Sequence, residues 1–208
     1  MKKICIIDYG LGNVASIYNA VEYLDRNVKL SRNPDDIKKA THLILPGVGS
    51  YKTGMDNLFK YDLVEILNSQ VITKKKPFLG ICLGMQLLST SSTEGGPQKG
   101  LNWINGEVIK IISNDKNIKV PHMGWNSVKH TNNSGLFKNI KNSSSFYFVH
   151  SYHFVPKDKS IITGTCFHGV EISSSLQKEN IFATQFHPEK SHNSGLKLLK
   201  KFSELSLC

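Results

Sequence analysis

The stretch that decides the fold is Pro77-Phe78-Leu79-Gly80-Ile81-Cys82-Leu83-Gly84, an apolar run that leads into a glycine-flanked cysteine. A short apolar run bounded by turn residues is typical of a strand that is buried on both faces of a sheet. The apolar residues Met85, Leu87 and Leu88 that follow predict a helix. The stretch therefore predicts a strand, a sharp turn and a helix in direct succession.

The same pattern occurs twice earlier in the chain. The apolar run Lys3–Ile7 ends at a glycine-bearing loop, residues 8–13, and Ile17, Ala20, Val21 and Leu24 then follow at helical spacing. Residues 41–45 are a second apolar run and lead into Pro-Gly-Val-Gly at 46–49. Strands that alternate with helices predict βαβ units, and hence a parallel sheet with helices on both faces.

The second half of the chain has a different pattern, because strand-like segments follow one another between clusters of Asn, Ser and Gly. These segments are residues 107–112, 125–129, 145–149, 161–167 and 181–185. Residues 190–207 close the chain as an amphipathic helix. We therefore predict one α/β domain over residues 1–208, with a flavodoxin-like twisted parallel core flanked by helices and with antiparallel strands added in the C-terminal half.

Composition excludes several functional classes. The 208 residues carry 26 Lys and Arg against 16 Asp and Glu, a formal net charge of +10, but the basic residues are scattered. Scattered lysines indicate a solvated surface or an acidic protein partner rather than a nucleic-acid groove. No apolar run reaches the roughly 18 residues of a membrane span or the length of a secretion signal, so we expect a cytoplasmic chain that does not enter a membrane.

The four cysteines form no CxxC pair. Neither a zinc site nor a disulfide framework is therefore predicted. His150 and His153 are three residues apart on a predicted strand, which would turn them to opposite faces. We accordingly predict no metal site.

Cys82 is the candidate nucleophile, because Gly80-Ile81-Cys82-Leu83-Gly84 has the form of a nucleophile elbow. In such a strand-to-helix turn the central residue is strained and is presented clear of the sheet, and glycines on either side avoid clashes. The positive end of the following helix favours a thiolate there. The competing interpretation is an ordinary buried cysteine, which the motif alone does not exclude.

His187-Pro188-Glu189 supplies the base that a thiol nucleophile needs. The proline favours an extended chain at His187, and residues two apart in an extended chain point to the same side. His187 would then face Cys82, while Glu189 holds the imidazole from behind. A buried or surface histidine is the alternative for His187 alone, but the combination with the elbow favours a triad.

With these residues identified, the chain resembles the class I glutamine amidotransferases, and within them the glutaminase subunits of imidazole glycerol phosphate synthases. The resemblance runs nearly end to end. The motifs that carry it are residues 8–13, 46–49, 80–86, 121–126 (Pro-His-Met-Gly-Trp-Asn), 148–152 and 185–191.

The resemblance implies a glutaminase that forms a thioester. Cys82 would attack the side-chain amide of L-glutamine, His187 would move the proton, and Glu189 would steady His187. The oxyanion would be held by the backbone amide of Leu83 and by the segment Gly47, Val48 and Gly49, a loop thought to switch state in the family when the partner's substrate binds. Gln86 and Glu94 would contact the substrate, with Ser151 and Tyr152 covering it. No cofactor is implied.

The resemblance also implies a partner, a (β/α)8 barrel cyclase that docks over the glutaminase site and receives the ammonia. Asn13, Met123, Trp125 and Asn126 would lie at this heterodimer interface, although Trp125 could equally be a core residue. Two alternatives stay open. One is the same glutaminase serving another synthase, such as a sugar-modifying amidotransferase, and the other is a binding or scaffold protein without glutamine turnover.

Overall fold

The computed structural model describes residues 2–24, 27–130 and 135–206. Within them the strands are β1 Lys3–Ile7, β2 Asn27–Ser31, β3 His42–Leu45, β4 Phe78–Ile81, β5 Ser91–Ser92, β6 Gln98–Lys99, β7 Gly106–Lys110, β8 His122–His130, β9 Ser144–His150, β10 Tyr152–Pro156, β11 Ile162–His168, β12 Val170–Lys178 and β13 Ile181–Thr184. The α-helices are α1 Val14–Tyr23, α2 Pro34–Lys39, α3 Tyr51–Lys60, α4 Leu63–Leu67, α5 Leu83–Gln86 and α6 His192–Glu204. A π-helical turn, Asn68–Thr73, continues α4.

Most strands belong to one large mixed sheet with the order β2-β1-β3-β4-β13-β12-β11-β8-β9. The strands from β2 to β13 in this order pair in parallel, and those from β13 to β9 pair antiparallel. A second, smaller sheet has the order β10-β7-β5-β6. The predicted α/β fold, with a parallel core and antiparallel strands from the second half of the chain, is confirmed.

Both faces of the parallel core are covered. Along β1, Ile4 and Ile6 pack in a cluster with residues of α1 and α6, whereas Cys5 and Ile7 pack in a cluster with residues of α2, α3 and α4. This alternation explains why β1 reads as a continuous apolar run. Each large side chain buried in this way stabilises the fold by about 1.5–3 kcal/mol, so the core holds the parallel strands, and the loops that follow them, in register.

Some predicted boundaries were wrong. The helix after Cys82 ends at Gln86, because the carbonyl groups of Leu87 and Leu88 accept hydrogen bonds from the N–H groups of Leu101, Trp103 and Ile104 instead of from a further helical turn. The closing helix is α6 rather than 190–207: Pro188–Lys190 forms a separate 3-10 turn, and residue 207 lies outside the described residues. In the part of the chain that the structure describes, no helix is long and apolar enough to cross a membrane.

Candidate active site

Cys82 occupies a strained turn between β4 and α5, with φ 53° and ψ −106°. Neither of the two flanking glycine positions has room for a side chain. A Cβ on Gly80 would lie 2.7 Å from the carbonyl oxygen of Gly84, and a Cβ on Gly84 would overlap the carbonyl oxygen of Leu45. The tight approach of α5 to β3 and β4 therefore requires glycine on both sides of the cysteine, and the turn has the geometry of a nucleophile elbow.

The segments that carry residues 46–49, Cys82 and His187 meet because three neighbouring strands end at the same edge of the sheet. The parallel strands β3, β4 and β13 are adjacent in the large sheet. The segment 46–49 follows β3, Cys82 follows β4 and His187 follows β13. In an open α/β sheet this carboxyl edge is where ligands bind.

His187 and Glu189 are in direct contact. Glu189 Oε1 lies 2.7 Å from His187 Nδ1, and the two side chains are only 4% and 2% exposed. The expected extended chain does not continue to Glu189, because Pro188–Lys190 is a 3-10 turn; this turn brings the carboxylate to the imidazole instead. The backbone N–H of His187 donates to Tyr147 O at 2.9 Å, and Ser191 Oγ donates to His187 O at 2.6 Å. These two hydrogen bonds hold the backbone of His187, and Glu189 holds its ring.

The second nitrogen of His187 is the atom that matters for proton transfer. His187 Nε2 is buried and makes no hydrogen bond among the described residues. Burial acts to lower the pKa of His187, but the neighbouring Cys82 sulfur, followed by Glu189, raises this pKa well above its ordinary value. An imidazole with a raised pKa, buried next to a cysteine, is suited to accept the proton of that thiol.

A cavity of about 290 Å³ opens over Cys82. It is lined by Val48, Gly49, Cys82, Leu83, Gln86, Glu94, Pro121, Val149, His150, Ser151 and Tyr152. Eight of these are residues that the sequence analysis assigned to the nucleophile, the oxyanion site or the substrate. Gly47, His187 and Glu189 are not among the lining residues. Sequence reasoning missed Pro121, Val149 and His150, which come to the cavity through the pairing of β8 with β9, a long-range contact with no local signal.

Polar groups in the cavity wall are already oriented by the protein. Gln86 Nε2 donates to the backbone oxygen of Tyr152 at 2.9 Å and to Gln185 Oε1 at 3.1 Å. Glu94 Oε2 accepts from the backbone N–H of Tyr51 at 2.8 Å, at the start of α3. The second oxygen of Glu94 makes no hydrogen bond within the described residues. The wall therefore offers a carboxylate with a free oxygen to a cationic group.

The amide group of Leu83 is occupied in this structure. Its N–H donates to the carbonyl oxygen of Gly47 at 3.3 Å, while the N–H groups of Val48 and Gly49 have no hydrogen-bond partner among the described residues. Gly47 has no room for a side chain, because a Cβ there would overlap the buried hydroxyl of Tyr9. The N–H of Leu83, which we expected to stabilise the oxyanion, is thus already bonded to the neighbouring loop. This N–H becomes available only if its hydrogen bond to Gly47 O opens.

The residues that were assigned to a partner interface lie in different environments. Met123 and Trp125 are 63% and 49% exposed on β8, and the indole of Trp125 stacks on His192. Trp125 is thus not a core residue. Asn126 points the other way, since its Nδ2 donates to Phe167 O at 2.9 Å. Asn13 is exposed and caps α1, where its side chain accepts from the N–H of Ser16 at 3.3 Å.

A chain of hydrogen bonds joins β8 to the cavity wall. Asn126 Nδ2 lies 3.1 Å from His122 Nε2, His122 Nδ1 lies 2.9 Å from His150 Nε2, and His150 Nδ1 lies 2.8 Å from Tyr152 O. The carbonyl oxygen of Tyr152 can only accept, so His150 carries its proton on Nδ1, and His122 does likewise. Burial lowers the pKa of His150 to about 3 and that of His122 to about 4, which keeps both rings neutral.

Comparison with known proteins places this chain in a family. The model of the family described as glutamine amidotransferase class-I matches residues 5–204. Imidazole glycerol phosphate synthase subunit HisH 1 of Campylobacter jejuni (strain 81-176) is 48% identical over 202 residues, which cover 97% of this chain and all of that protein. Imidazole glycerol phosphate synthase subunit HisH of Moorella thermoacetica is 45% identical over 205 residues, covering 99% of this chain and 96% of that one.

Solved structures show the same fold at low sequence identity. The crystal structure of a glutamine amidotransferase superimposes with a TM-score of 0.75 and 14% identity, covering 97% of this chain and 99% of the other. The structure of PurLQS from Thermotoga maritima gives a TM-score of 0.71 and 18% identity, covering 97% of this chain and 98% of the matched one. At these identities the likeness establishes the fold, whereas the closer relatives bear on the activity.

Proposed function

Because the chain belongs to the class I glutamine amidotransferase family, we propose that it is the glutaminase subunit of an imidazole glycerol phosphate synthase, an enzyme of histidine biosynthesis. It hydrolyses L-glutamine to glutamate and ammonia for use by a partner subunit. The observation that carries the proposal is the unpartnered, buried Nε2 of His187 beside Cys82, in a chain 48% identical end to end to a protein of that name.

Cys82 is the nucleophile of this proposal. Its thiol proton passes to His187 Nε2, and the sulfur attacks the side-chain carbonyl carbon of glutamine. The C–N bond then breaks, and the nitrogen leaves as ammonia with the proton from His187. Water hydrolyses the γ-glutamyl thioester to glutamate and restores the thiol. Glu189, 2.7 Å from Nδ1, keeps the other imidazole nitrogen protonated and stabilises the imidazolium that forms.

The oxyanion of the tetrahedral intermediate is stabilised by backbone amides. Leu83 supplies one N–H after its bond to Gly47 O opens, and the segment of Val48 and Gly49 supplies the other. Removal of one such donor typically costs about 2.7–4 kcal/mol of barrier, or about 10²–10³ in rate. A structure in which Leu83 N–H is occupied is therefore poorly active, and activation consists in freeing this group.

The substrate binds in the 290 Å³ cavity. The α-ammonium group of glutamine pairs with the free oxygen of Glu94, whose other oxygen is held by the start of α3. Gln86, with its Nε2 hydrogen bonds directed at Tyr152 and Gln185, presents its carbonyl oxygen to the substrate. Ser151 and Tyr152 cover the bound molecule.

The partner is a (β/α)8 barrel cyclase that forms a heterodimer with this chain and receives ammonia through a channel. Met123 and Trp125 on the outer face of β8 make the apolar part of the contact, and the exposed Asn13 at the start of α1 is assigned to the same interface. Pro121, just before β8, lines the cavity. The docked cyclase therefore contacts a segment that is continuous with the active site, which provides a route for its ligand state to reach the loop at 46–49.

The proposal is tested by measuring glutamate and ammonia release from glutamine, with and without a cognate cyclase and its nucleotide substrate. We expect the chain alone to be nearly inactive and the complete mixture to be at least about 100-fold faster, as the release of one oxyanion donor implies. Equal rates alone and in complex would contradict the gating step.

A Cys82→Ser variant provides the matched control for this experiment. It is expected to lose glutamine hydrolysis while it binds the cyclase with unchanged affinity, because Cys82 lies at the floor of a cavity and not on the outer face of β8. Residual hydrolysis at the wild-type rate would show that Cys82 is not the nucleophile.

A further inference from the structure

Gln185 is a buried polar residue with contacts on both sides of the active site, and the triad mechanism does not use it. Its side chain is 0% exposed and lies at the end of β13, two residues before His187. Its Nε2 lies 3.6 Å from Cys82 Sγ, and its Oε1 lies 3.1 Å from Gln86 Nε2. One amide group thus bridges the nucleophile and a residue of the cavity wall.

The orientation of this amide group follows from the chemistry of its neighbours. The backbone oxygen of Tyr152 can only accept a hydrogen bond, so the group of Gln86 that lies 2.9 Å from it must be the NH₂ group. The same NH₂ group contacts Gln185, which must therefore present its oxygen to Gln86. The NH₂ group of Gln185 is left facing Cys82, and an N–H donor is thereby aimed at the sulfur.

We propose that Gln185 is a further catalytic residue, which donates a hydrogen bond from Nε2 to the thiolate of Cys82. This inference rests on the proposed function only in taking Cys82 as the nucleophile. When the proton moves from Sγ to His187 Nε2, the sulfur gains a negative charge and the imidazole a positive one. A hydrogen bond to an ionised acceptor is about twice as strong as one to a neutral acceptor. The contact therefore favours the thiolate–imidazolium pair over the neutral pair.

A merely structural role for Gln185 is the competing interpretation, because its oxygen holds Gln86 in place. Two substitutions separate the roles. Gln185→Met has a similar length and removes both hydrogen bonds without adding a charge. Gln86→Met removes the same contact between the two amide groups but leaves the donor of Gln185 next to the sulfur. A structural role predicts that both variants shift thiolate formation equally, whereas a donor role predicts that only Gln185→Met does.

The measurement is the rate of Cys82 alkylation by iodoacetamide as a function of pH, which reports the thiolate and needs no glutamine turnover. A Cys208→Ser background removes the thiol that lies outside the described residues. Burial raises the pKa of Cys5 to about 12 and that of Cys166 to about 11, so these thiols stay unreactive. The site of alkylation is checked by peptide mass spectrometry.

We expect the midpoint of the alkylation profile to move upward by about one pH unit in Gln185→Met, and alkylation at pH values below both midpoints to slow by about 10-fold, as the loss of one hydrogen bond to a charged group implies. Gln86→Met is expected to leave the midpoint in place.

Gln70→Met is the control, because Gln70 is also buried and lies in the π-helical turn that continues α4. It is expected to leave the profile in place, and it reports the effect of losing a buried amide group on thermal stability. A Gln185→Met profile that coincides with the wild type, or an equal shift in Gln86→Met, would overturn the assignment. Absence of glutaminase activity together with a shift in Gln185→Met alone would instead refute the proposed function and leave this inference standing.

Discussion

Replacement of Glu189 by glutamine is the sharpest test of the proposed triad. The Glu189→Gln substitution keeps the shape of the side chain but removes the charge 2.7 Å from His187 Nδ1. If the new amide turns its NH₂ group toward Nδ1, the imidazole proton moves to Nε2, and this nitrogen can no longer accept the thiol proton of Cys82. The loss concerns proton transfer rather than substrate binding.

The magnitude follows from the burial of the pair. Both side chains are almost fully enclosed, so the contact is not screened by water. A hydrogen bond to a charged group contributes about 1.5–3 kcal/mol, which corresponds to a decrease in kcat of about 10- to 150-fold. The KM for glutamine is expected to change by less than about threefold, because Glu189 does not line the cavity.

The assay is steady-state glutamine hydrolysis in the complex with the cyclase and its ligand. Glu179→Gln provides the control, since Glu179 is exposed and pairs only with Lys75 at the surface among the described residues; its kcat is expected to equal that of the wild type. A Glu189→Gln enzyme that retains kcat within about twofold would refute the assignment of Glu189, and so would a decrease that appears only in KM.

Three further outcomes are expected. Gly84→Ala should lower the free energy of unfolding by about 3 kcal/mol or more, measured by urea denaturation, because the new Cβ overlaps the Leu45 carbonyl; a loss below about 1 kcal/mol would show that α5 can move away. Trp125→Ala should weaken cyclase binding at least about 30-fold in calorimetry while the melting temperature of the isolated chain stays nearly constant, and unchanged affinity would remove Trp125 from the interface. Acidification should destabilise the fold, because burial lowers the pKa of His150 to about 3 and that of His122 to about 4. The neutral rings contribute their full stabilisation above the unfolded pKa near 6.5 and lose it as the pH falls toward the folded values. The loss amounts to at most about 1.4 kcal/mol per pH unit for each ring. A free energy of unfolding that stays level from pH 7 to pH 5 would contradict this reasoning.

The elbow was predictable because its requirements are local. The glycines at 80 and 84 are needed by a backbone turn at Cys82, and the apolar run before them marks the strand. The contact between His187 and Glu189 was also expected from their spacing, although a 3-10 turn makes it rather than an extended chain. In both cases the residues that matter are neighbours in sequence.

The rest of the site depends on contacts between distant segments. Gln185 reaches Cys82 across 103 positions of sequence, and Gln86 reaches Tyr152 across 66. Nothing in the residues next to Gln185 indicates that its amide group points at a sulfur atom. The strand β12 was likewise missed, because its serines at 173–175 are buried by pairing and not by an apolar pattern. Such features appear only when the fold has set the partners.

The hydrogen bond between Leu83 and Gly47 has a consequence for how much glutamine the cell consumes. Uncoupled hydrolysis would consume glutamine and discharge ammonia without a product. In the proposed mechanism, the hydrogen bond from the N–H of Leu83 to Gly47 O at 3.3 Å keeps the free chain in a form of low activity, and one peptide contact separates this form from the active one. Activation by opening this hydrogen bond requires no rearrangement of the triad, so the enzyme can become active as quickly as the loop at 46–49 can move.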